Sequence, residues 1–265
     1  MRQLPVNPTS RAGDANRVRK ILGDKILDLV FPPRCAGCGT WNHSIFCRQC
    51  DCKLKRVAAP ICFCCGAPFD QSAQVLPDSL CAACRENRYH DAPALDHRRA
   101  PFEYSGPMRK AIHSLKYQGK TALAVPLAAW MAEYSGNSNS GLLLAEIEII
   151  VPIPLHPVRQ WRRGYNQSTL LAQELSKLTQ IPVAPILKRV RHTIPQVDLH
   201  ADERSQNIEG AFAINESAWP EYSGAQKILL LDDVATTGAT LDECARVLKK
   251  RGAAKVWALT LARID

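Results

Sequence analysis

The sequence predicts an α/β fold with a parallel sheet, preceded by a small cysteine-rich module. Ten of the eleven cysteines lie between Cys35 and Cys84, so the chain divides into two regions of different composition. After His97, short apolar segments alternate with segments of helical periodicity, which is the pattern of β-α-β units in a parallel sheet. With 265 residues, the chain is long enough for two domains.

We expect three parts along the chain. Residues 1–16 resemble a disordered extension. Residues 17–96 contain a helix, with apolar residues from Val18 to Val30 at helical spacing, and then the cysteine-rich module. Residues 97–265 contain the α/β domain. No apolar run approaches the roughly eighteen residues of a membrane span, and the first residues lack the apolar core of a signal peptide. A cytoplasmic protein without membrane insertion is therefore predicted.

The cysteine-rich module contains four CxxC pairs. In the cytosol, cysteines at this density indicate metal binding more often than disulfides. Each pair can offer two sulfurs to a tetrahedral ion, so four pairs predict two structural Zn²⁺ sites. Gly39 and Gly66 each follow the second cysteine of a pair, where a tight knuckle directs N–H groups towards sulfur. The predicted ligands are Cys35, Cys38, Cys47, Cys50, Cys62, Cys65, Cys81 and Cys84.

This arrangement resembles a double zinc ribbon, and we expect sequential rather than interleaved pairing of the four CxxC motifs. Reactive redox pairs are the alternative, which four pairs with two glycine knuckles disfavour. Cys52 and Cys64 fall outside the pair spacing, although either could replace a ligand. Cys244 lies on the apolar face of a predicted helix and is assigned to the core. A closed four-cysteine site has no open position, so a structural or binding role is predicted.

The α/β region begins with two predicted helices, in SGPMRKAIHSLKYQGK and TALAVPLAAWMAEY. A strand in EIEIIVPIP follows, and after a basic loop come the helix STLLAQELSKL and the strand VAPILK. AFAI, KILLL and VWALTLARI complete the set of strands, with the helix LDECARVLKK before the last of them. This order predicts parallel pairing with right-handed crossovers.

The stretch KILLLDDVATTGAT carries the most specific functional signal. Its apolar residues predict a strand buried on both faces, and Asp232 and Asp233 follow where that strand is expected to end. Burying adjacent carboxylates is costly unless a partner compensates. The small residues from Ala235 to Thr240 present N–H groups before a helix, an arrangement that binds phosphate. Because carboxylates can accept hydrogen bonds from sugar hydroxyls or help hold a divalent ion, a phosphorylated sugar is predicted.

Neither a P-loop nor a dinucleotide-binding glycine motif occurs in the chain. A structural alternative is that Asp232 caps a turn and the threonines fill a polar loop. The combined order resembles the motif that binds phosphoribosyl pyrophosphate (PRPP) in type I phosphoribosyltransferases. The resemblance implies Mg²⁺·PRPP as the ligand, with Asp232 and Asp233 at the ribose hydroxyls. It assigns the 5′-phosphate to Ala235, Thr236, Thr237, Gly238, Ala239 and Thr240.

Two further loops are expected at the same edge, because ligands of parallel sheets bind outside the carboxyl ends of the strands. LHPVRQWRRGYNQ follows the strand that ends in VPIP. The resemblance assigns it to the pyrophosphate, with Arg162 and Arg163 as candidates and solvent exposure of both as the alternative. RHTIPQVDLHADERSQNIEGAF takes the place of the flexible loop that closes over PRPP, with Arg204 and Asn207 as candidates.

Together with HSLKYQGK and the cysteine-rich start, these segments resemble the ComF family of bacterial proteins from about Leu29 onward. The resemblance implies a double zinc ribbon fused to a phosphoribosyltransferase fold, and an association with natural transformation and imported DNA, without an established reaction. A PRPP-binding protein that handles imported single-stranded DNA, with DNA-uptake proteins as partners, is therefore expected. The alternative is an active phosphoribosyltransferase, for which the sequence identifies neither the acceptor nor the catalytic residues.

Charge and aromatic content bear on the DNA hypothesis. The formal net charge is +9, and seven Lys or Arg against one acid lie between Leu155 and Arg191, which favours a polyanionic ligand. Trp41, Trp161 and Tyr165 are candidates for stacking on bases. Packing is the alternative for each of them, because aromatic residues make up only 6% of the chain and form no recognisable platform.

Overall fold

A computed structural model of the protein describes residues 34–70, 75–76, 78–90, 94–137, 140–142, 144–191 and 208–264. The predicted extension and N-terminal helix lie outside the described residues, as do Arg204 and Asn207. Within the described residues, no helix combines the length and the apolar character that a membrane crossing requires.

Strands and helices alternate along most of the α/β region. The described strands are β1 (His97–Arg99), β2 (Phe102–Glu103), β3 (Ile149–Pro152), β4 (Leu187–Arg189), β5 (Phe212–Ile214), β6 (Lys227–Ala235) and β7 (Lys255–Arg263). The described helices are α1 (Arg48–Asp51), α2 (Ala82–His90), α3 (Gly106–Tyr117), α4 (Ala124–Gly136), α5 (Pro157–Arg163), α6 (Gln167–Thr179), α7 (Trp219–Tyr222) and α8 (Ala239–Lys250). Single 3₁₀ turns span Thr121–Leu123 and Leu144–Glu146.

The central sheet is parallel and has the order β1-β7-β6-β3, with β2 continuing along β7 beyond β1. Its middle strand β6 is buried on both faces. Leu229 and Leu231 contribute to one core cluster, and Ile228 and Leu230 to the other. This double burial explains why the sequence of the strand is continuously apolar rather than alternating. The predicted α/β fold with a parallel sheet is confirmed.

The cysteine-rich region shares a core with the α/β region. Phe46 is buried and stacks on Trp130 of α4, with ring centroids 5.6 Å apart and planes inclined by 13°. Backbone hydrogen bonds join the two regions as well, from Val57 N to Pro101 O at 2.8 Å and from Glu103 N to Lys55 O at 3.0 Å. The domain boundary predicted near residue 96 stays a prediction, because apolar packing crosses it.

The expected parallel pairing is wrong for VAPILK and AFAI. Their residues form β4 and β5, which pair with each other as a separate antiparallel sheet in which Leu187 lies opposite Ile214. Only Val183 bridges the parallel sheet, next to Ile150. Ile150 N donates to Pro182 O and Ile150 O accepts from Ala184 N, but the next donor along β3 would be Pro152, which has no N–H, so the pairing ends there.

Candidate functional site

Asp232 and Asp233, called the acidic pair below, lie inside β6 rather than after it. The sequence predicts that the strand ends near Leu231, but β6 continues to Ala235 because β7 runs beside it as far as Arg263. Asp232 is paired with Thr260 in this register, and Asp233 is only 2% exposed. Ala235, which the resemblance assigned to the phosphate loop, therefore belongs to the strand.

The N-terminus of α6 faces the acidic pair. Ser168 Oγ donates to Asp232 Oδ1 at 2.6 Å, and Gln167 Nε2 donates to Asp233 Oδ1 at 3.0 Å. Asn166 caps the helix by accepting from Ser168 N at 3.0 Å, and its own amide donates to a β3-loop carbonyl. The positive end of the helix and these donors partly offset the cost of burying two carboxylates.

Lys116, at the end of α3, is the cation that the acidic pair requires. Its Nζ forms an ion pair with Asp233 Oδ2, and the two side chains are 19% and 3% exposed. Burial acts to lower the pKa of Lys116, but the attraction of Asp233 and Asp232 prevails and raises it. Burial and repulsion from Asp233 raise the pKa of Asp232 to about 7, against the opposing effects of Lys116 and Ser168. Asp232 therefore titrates close to neutral pH.

The phosphate loop predicted from the small residues follows β6 directly. Gly238 has φ 90° and ψ 0°, a left-handed conformation that favours glycine, and it precedes the first residue of α8. Thr237 Oγ1 accepts a hydrogen bond from Ala239 N at 3.4 Å, and Gly238 O accepts one from Asp242 N at 2.9 Å. Thr240 lies in the first turn of α8. The loop and the start of a three-turn helix thus form one edge of the site.

The two arginine candidates of the basic loop differ in their surroundings. Arg163 donates to Gln167 Oε1, and its guanidinium carbon lies 4.9 Å from the centre of the Tyr117 ring. Arg162 is exposed on α5. Because Gln167 in turn contacts Asp233, the structure brings Arg163 into the network around the acidic pair and leaves Arg162 at the surface.

The three aromatic candidates differ in how far their side chains are exposed. Tyr165 donates its hydroxyl to Leu115 O and therefore packs the loop against α3. Trp161 is 84% exposed on α5, and Trp41 is 64% exposed in the cysteine-rich region. Among the three, only the two tryptophans present enough surface to stack on a base.

The eight predicted cysteine ligands form two groups, each with sulfurs within 4.8 Å of one another. The first cysteine group contains Cys35, Cys38, Cys47 and Cys50, and the second cysteine group contains Cys62, Cys65, Cys81 and Cys84. The motifs are thus grouped sequentially. Backbone N–H groups point at sulfur in each group, from Cys47 to Cys35 Sγ and from Cys81 to Cys62 Sγ, both at 3.3 Å. Four convergent thiols with such donors fit a structural Zn²⁺ ion.

The acidic pair does not form a comparable metal site by itself. Across the described ranges, the two cysteine groups are the only places where three or more metal-ligating side chains converge. Asp232 and Asp233 also have protein partners on the oxygens described above. A Mg²⁺ ion here would therefore take most of its ligands from a bound molecule and from water, as Mg²⁺ commonly does with phosphates.

Sequence reasoning missed the residues that hold the acidic pair. Lys116 stood in HSLKYQGK, which carried part of the family resemblance but no role. Gln167 and Ser168 begin α6 and are buried, at 3% and 0% exposed. Polar side chains at the start of a helix are ordinary, so the sequence contained no indication of the role of Gln167 and Ser168. Lys116 at least lay in a segment that carried the family resemblance.

Comparison with known proteins identifies relatives of both regions. The double zinc ribbon domain matches residues 26–85, and the phosphoribosyl transferase domain matches residues 162–263. Competence protein F of Haemophilus influenzae is 34% identical over 239 residues, which cover 88% of this chain and 98% of that protein. DNA utilization protein YhgH of Escherichia coli is 30% identical over 223 residues, or 82% of this chain and 91% of that protein. Competence protein ComFC of Bacillus subtilis is 28% identical over 226 residues, covering 82% and 83%.

Proposed function

The chain belongs to the ComF family, and from this membership we propose that it binds Mg²⁺·PRPP at the carboxyl end of β6. One observation carries the proposal. The acidic pair, the N-terminus of α6 and the phosphate loop before α8 all meet at one edge of the parallel sheet. This edge is where ligands of parallel sheets bind.

Each part of the site has a chemical role in this proposal. Asp232 and Asp233 accept hydrogen bonds from the ribose hydroxyls, and the N–H groups from Thr236 to Thr240 hold the 5′-phosphate. Arg163 reaches the pyrophosphate with a fork of donors. Bound Mg²⁺ supplies charge neutralisation at the phosphate oxygens. Phosphoribosyl transfer to an acceptor stays a prediction, and the proposal is confined to binding.

Lys116 makes the site responsive to its ligand. While Lys116 is paired with Asp233, it occupies one of the carboxylate oxygens that a ribose hydroxyl would use. Ligand binding therefore exchanges an ion pair for hydrogen bonds to sugar. Because Asp232 titrates near pH 7, we expect its deprotonation to strengthen binding of Mg²⁺·PRPP as the pH rises through neutrality.

Titration calorimetry with Mg²⁺·PRPP tests the proposal. The variants are the double substitution Asp232→Asn/Asp233→Asn and, as a control, Glu86→Gln, which removes an exposed carboxylate on α2. We expect the double variant to bind at least tenfold more weakly, since each lost charged hydrogen bond costs about 1.5–3 kcal/mol, and the control to bind like the wild type. Absence of binding to folded, zinc-loaded wild type would contradict the proposal.

We further propose that the protein handles imported single-stranded DNA in the cytoplasm. The names of the relatives support this, since they include competence proteins and a DNA utilization protein. Trp161 supports it as well, because it is 84% exposed on a helix that also carries Arg159 and Arg162. An aromatic ring flanked by cations is the usual surface for single-stranded nucleic acid.

Fluorescence anisotropy with labelled oligothymidylate tests the DNA proposal. Trp161→Ala should weaken binding by about 1–3 kcal/mol, the typical value of one stacked base. Trp41→Ala is the matched control on the cysteine-rich region and should have little effect. Affinity should fall steeply with salt concentration, because lysines and arginines replace counterions on the phosphates. A shallow dependence on salt, or equal effects of the two tryptophans, would contradict the assignment to α5.

A further inference from the structure

Arg98 lies on β1, the edge strand next to β7, and its side chain extends to the phosphate loop that follows β6. It pairs with Ala258 of β7, and Ala258 belongs to the core cluster beneath α8. The guanidinium of Arg98 lies beside Gly238. A Cβ atom added at Gly238 would overlap Nη1 of Arg98. The left-handed backbone of Gly238 favours glycine, and the missing side chain leaves room for the end of Arg98 beside the loop.

The charge of Arg98 has no counterion in the part of the chain that the structure describes. None of the ion pairs there includes it. Its guanidinium lies instead beside the N-terminus of α8, where the helix itself presents partial positive charge. Two positive features side by side repel each other unless an anion binds between them.

We propose that Arg98 is a ligand of the 5′-phosphate, donating from its guanidinium while the loop donates from backbone N–H groups. This inference rests on the proposed PRPP site and adds a residue to it. A planar fork of donors suits phosphate oxygens, and the start of α8 supplies the remaining hydrogen bonds. The predicted consequence is a preference for sugars that carry a 5′-phosphate.

The loop of the second cysteine group holds Arg98 in position. Arg98 N donates to Cys64 O at 2.8 Å, so this loop adds backbone hydrogen bonding at the outer side of β1. Gly66 packs so closely that a Cβ atom there would lie 2.6 Å from Arg98 O. The next residue, Arg99, donates to Phe63 O at 2.9 Å. The cysteine-rich region thereby fixes the strand from which Arg98 reaches the phosphate loop.

Calorimetry on three forms of the full, zinc-loaded chain tests the inference, with Mg²⁺·PRPP, ribose 5-phosphate and pyrophosphate as probes. The forms are wild type, Arg98→Gln and Lys250→Gln. Lys250 is exposed at the far end of α8, about 16 Å along the helix from the loop, so it controls for the loss of one charge. We expect Arg98→Gln to bind PRPP and ribose 5-phosphate at least tenfold more weakly. Its affinity for pyrophosphate, and all affinities of Lys250→Gln, should change less than twofold.

The outcomes separate this inference from the proposal on which it rests. If wild type binds neither PRPP nor ribose 5-phosphate, both are overturned. If wild type binds and folded Arg98→Gln binds equally well, only the role of Arg98 is overturned.

A measurement on wild type decides the matter should Arg98→Gln not fold. Ribose 5-phosphate should protect Arg98 severalfold from modification by phenylglyoxal, followed by mass spectrometry of peptides. Arg56, exposed in the cysteine-rich region, should react at the same rate with and without the ligand. Modification of Arg98 at an unchanged rate would overturn the inference.

Discussion

Arg99 and Asp233 are both almost fully buried charges, at 3% and 2% exposed, but their surroundings differ. The Arg99 guanidinium donates to the carbonyls of Ser140, Phe63 and Arg98. Burial lowers the pKa of Arg99, while its electrostatic interactions with Tyr134 and with Cys62 and Cys65 of the second cysteine group oppose the shift. At this junction between the cysteine-rich region and the sheet, the Arg99 guanidinium finds its hydrogen-bond acceptors within the protein, which is the arrangement of a structural charge.

Within the described residues, the acidic pair places two like charges side by side and forms one ion pair, with Lys116. Asp232 and Asp233 are adjacent, and Lys116 pairs with only one of them. The resulting pKa of about 7 for Asp232 means that one carboxylate is held near its titration point at neutral pH. The difference teaches that burial alone does not mark a functional charge. An incomplete balance of charge does, because a ligand can complete it.

Loss of a ligand from the second cysteine group should have the largest effect. Cys81→Ala should release one of two bound zinc ions and lower the free energy of unfolding by more than about 4 kcal/mol, since the loop that holds Arg99 depends on this group. Zinc analysis and urea unfolding measure the two effects. Cys52→Ala is the control, because Cys52 is exposed and outside both groups. Two zinc ions in Cys81→Ala would show that the site does not need this ligand.

Removal of the lysine should strongly destabilise the acidic pair. Lys116→Met should lower the free energy of unfolding by about 3–5 kcal/mol at pH 8, because it leaves a buried carboxylate unpaired. The double variant Lys116→Met/Asp233→Asn should recover most of that loss. Urea unfolding of both variants measures the coupling, and additive effects would argue against the ion pair.

Substitution of Arg99 should lower the free energy of unfolding by less than loss of Lys116 does. The loss should not change between pH 7 and pH 8. Arg99→Met leaves several buried carbonyls without donors, for a loss of about 2–3 kcal/mol. We expect the same loss at pH 7 and pH 8, because no partner of the guanidinium is a carboxylate in the described structure and His97, whose pKa is lowered by burial and by Arg99, is neutral over that range. Arg56→Met, whose side chain is 54% exposed, should change stability by less than about 1 kcal/mol. A loss that varied with pH would remove the contrast with the acidic pair.

Neutralising Asp232 should give the smallest effect and the opposite sign. The pKa of Asp232 is raised in the folded protein, so ionisation costs stability as the pH rises from about 4, the unfolded value, to about 7. Asp232→Asn should therefore stabilise the ligand-free protein by about 1–2 kcal/mol at pH 8, with the gain disappearing near pH 4. Thermal unfolding across this range measures it. Destabilisation at pH 8 would mean that the charged form is favoured.

Much of the fold could be predicted because buried strands and helices have recognisable patterns of apolar residues in the sequence. KILLL identified the middle of the sheet, and the period of α3, α4, α6 and α8 identified the helices. The edge strands β1 and β2 left no such record, because HRR and FE are short and mostly polar. They are strands because β7 and the cysteine-rich region offer them hydrogen bonds, which only tertiary structure provides.

The candidate site likewise has one part that the sequence predicted and another that it did not. Asp232, Asp233 and the loop from Thr236 to Thr240 are consecutive, so their order alone predicted a phosphorylated sugar. Lys116 and Arg98 come from elements more than a hundred residues earlier, and each is an ordinary cation in the sequence. Their positions next to β6 and α8 depend on strand order and helix packing, which local patterns do not encode.

The pairing of β1 with β7 sets the order in which a nascent chain can be completed. His97 of β1 lies beside Trp257, so this edge of the sheet cannot form until β7 has left the ribosome. The cysteine groups need no such wait, since the second one closes between Cys62 and Cys84. We expect a chain arrested before Lys255 to hold both metal ions while protease still cleaves the segment that becomes β1. Synthesis through β7 should then protect that segment, which would place assembly of the proposed phosphate site after that of the cysteine groups.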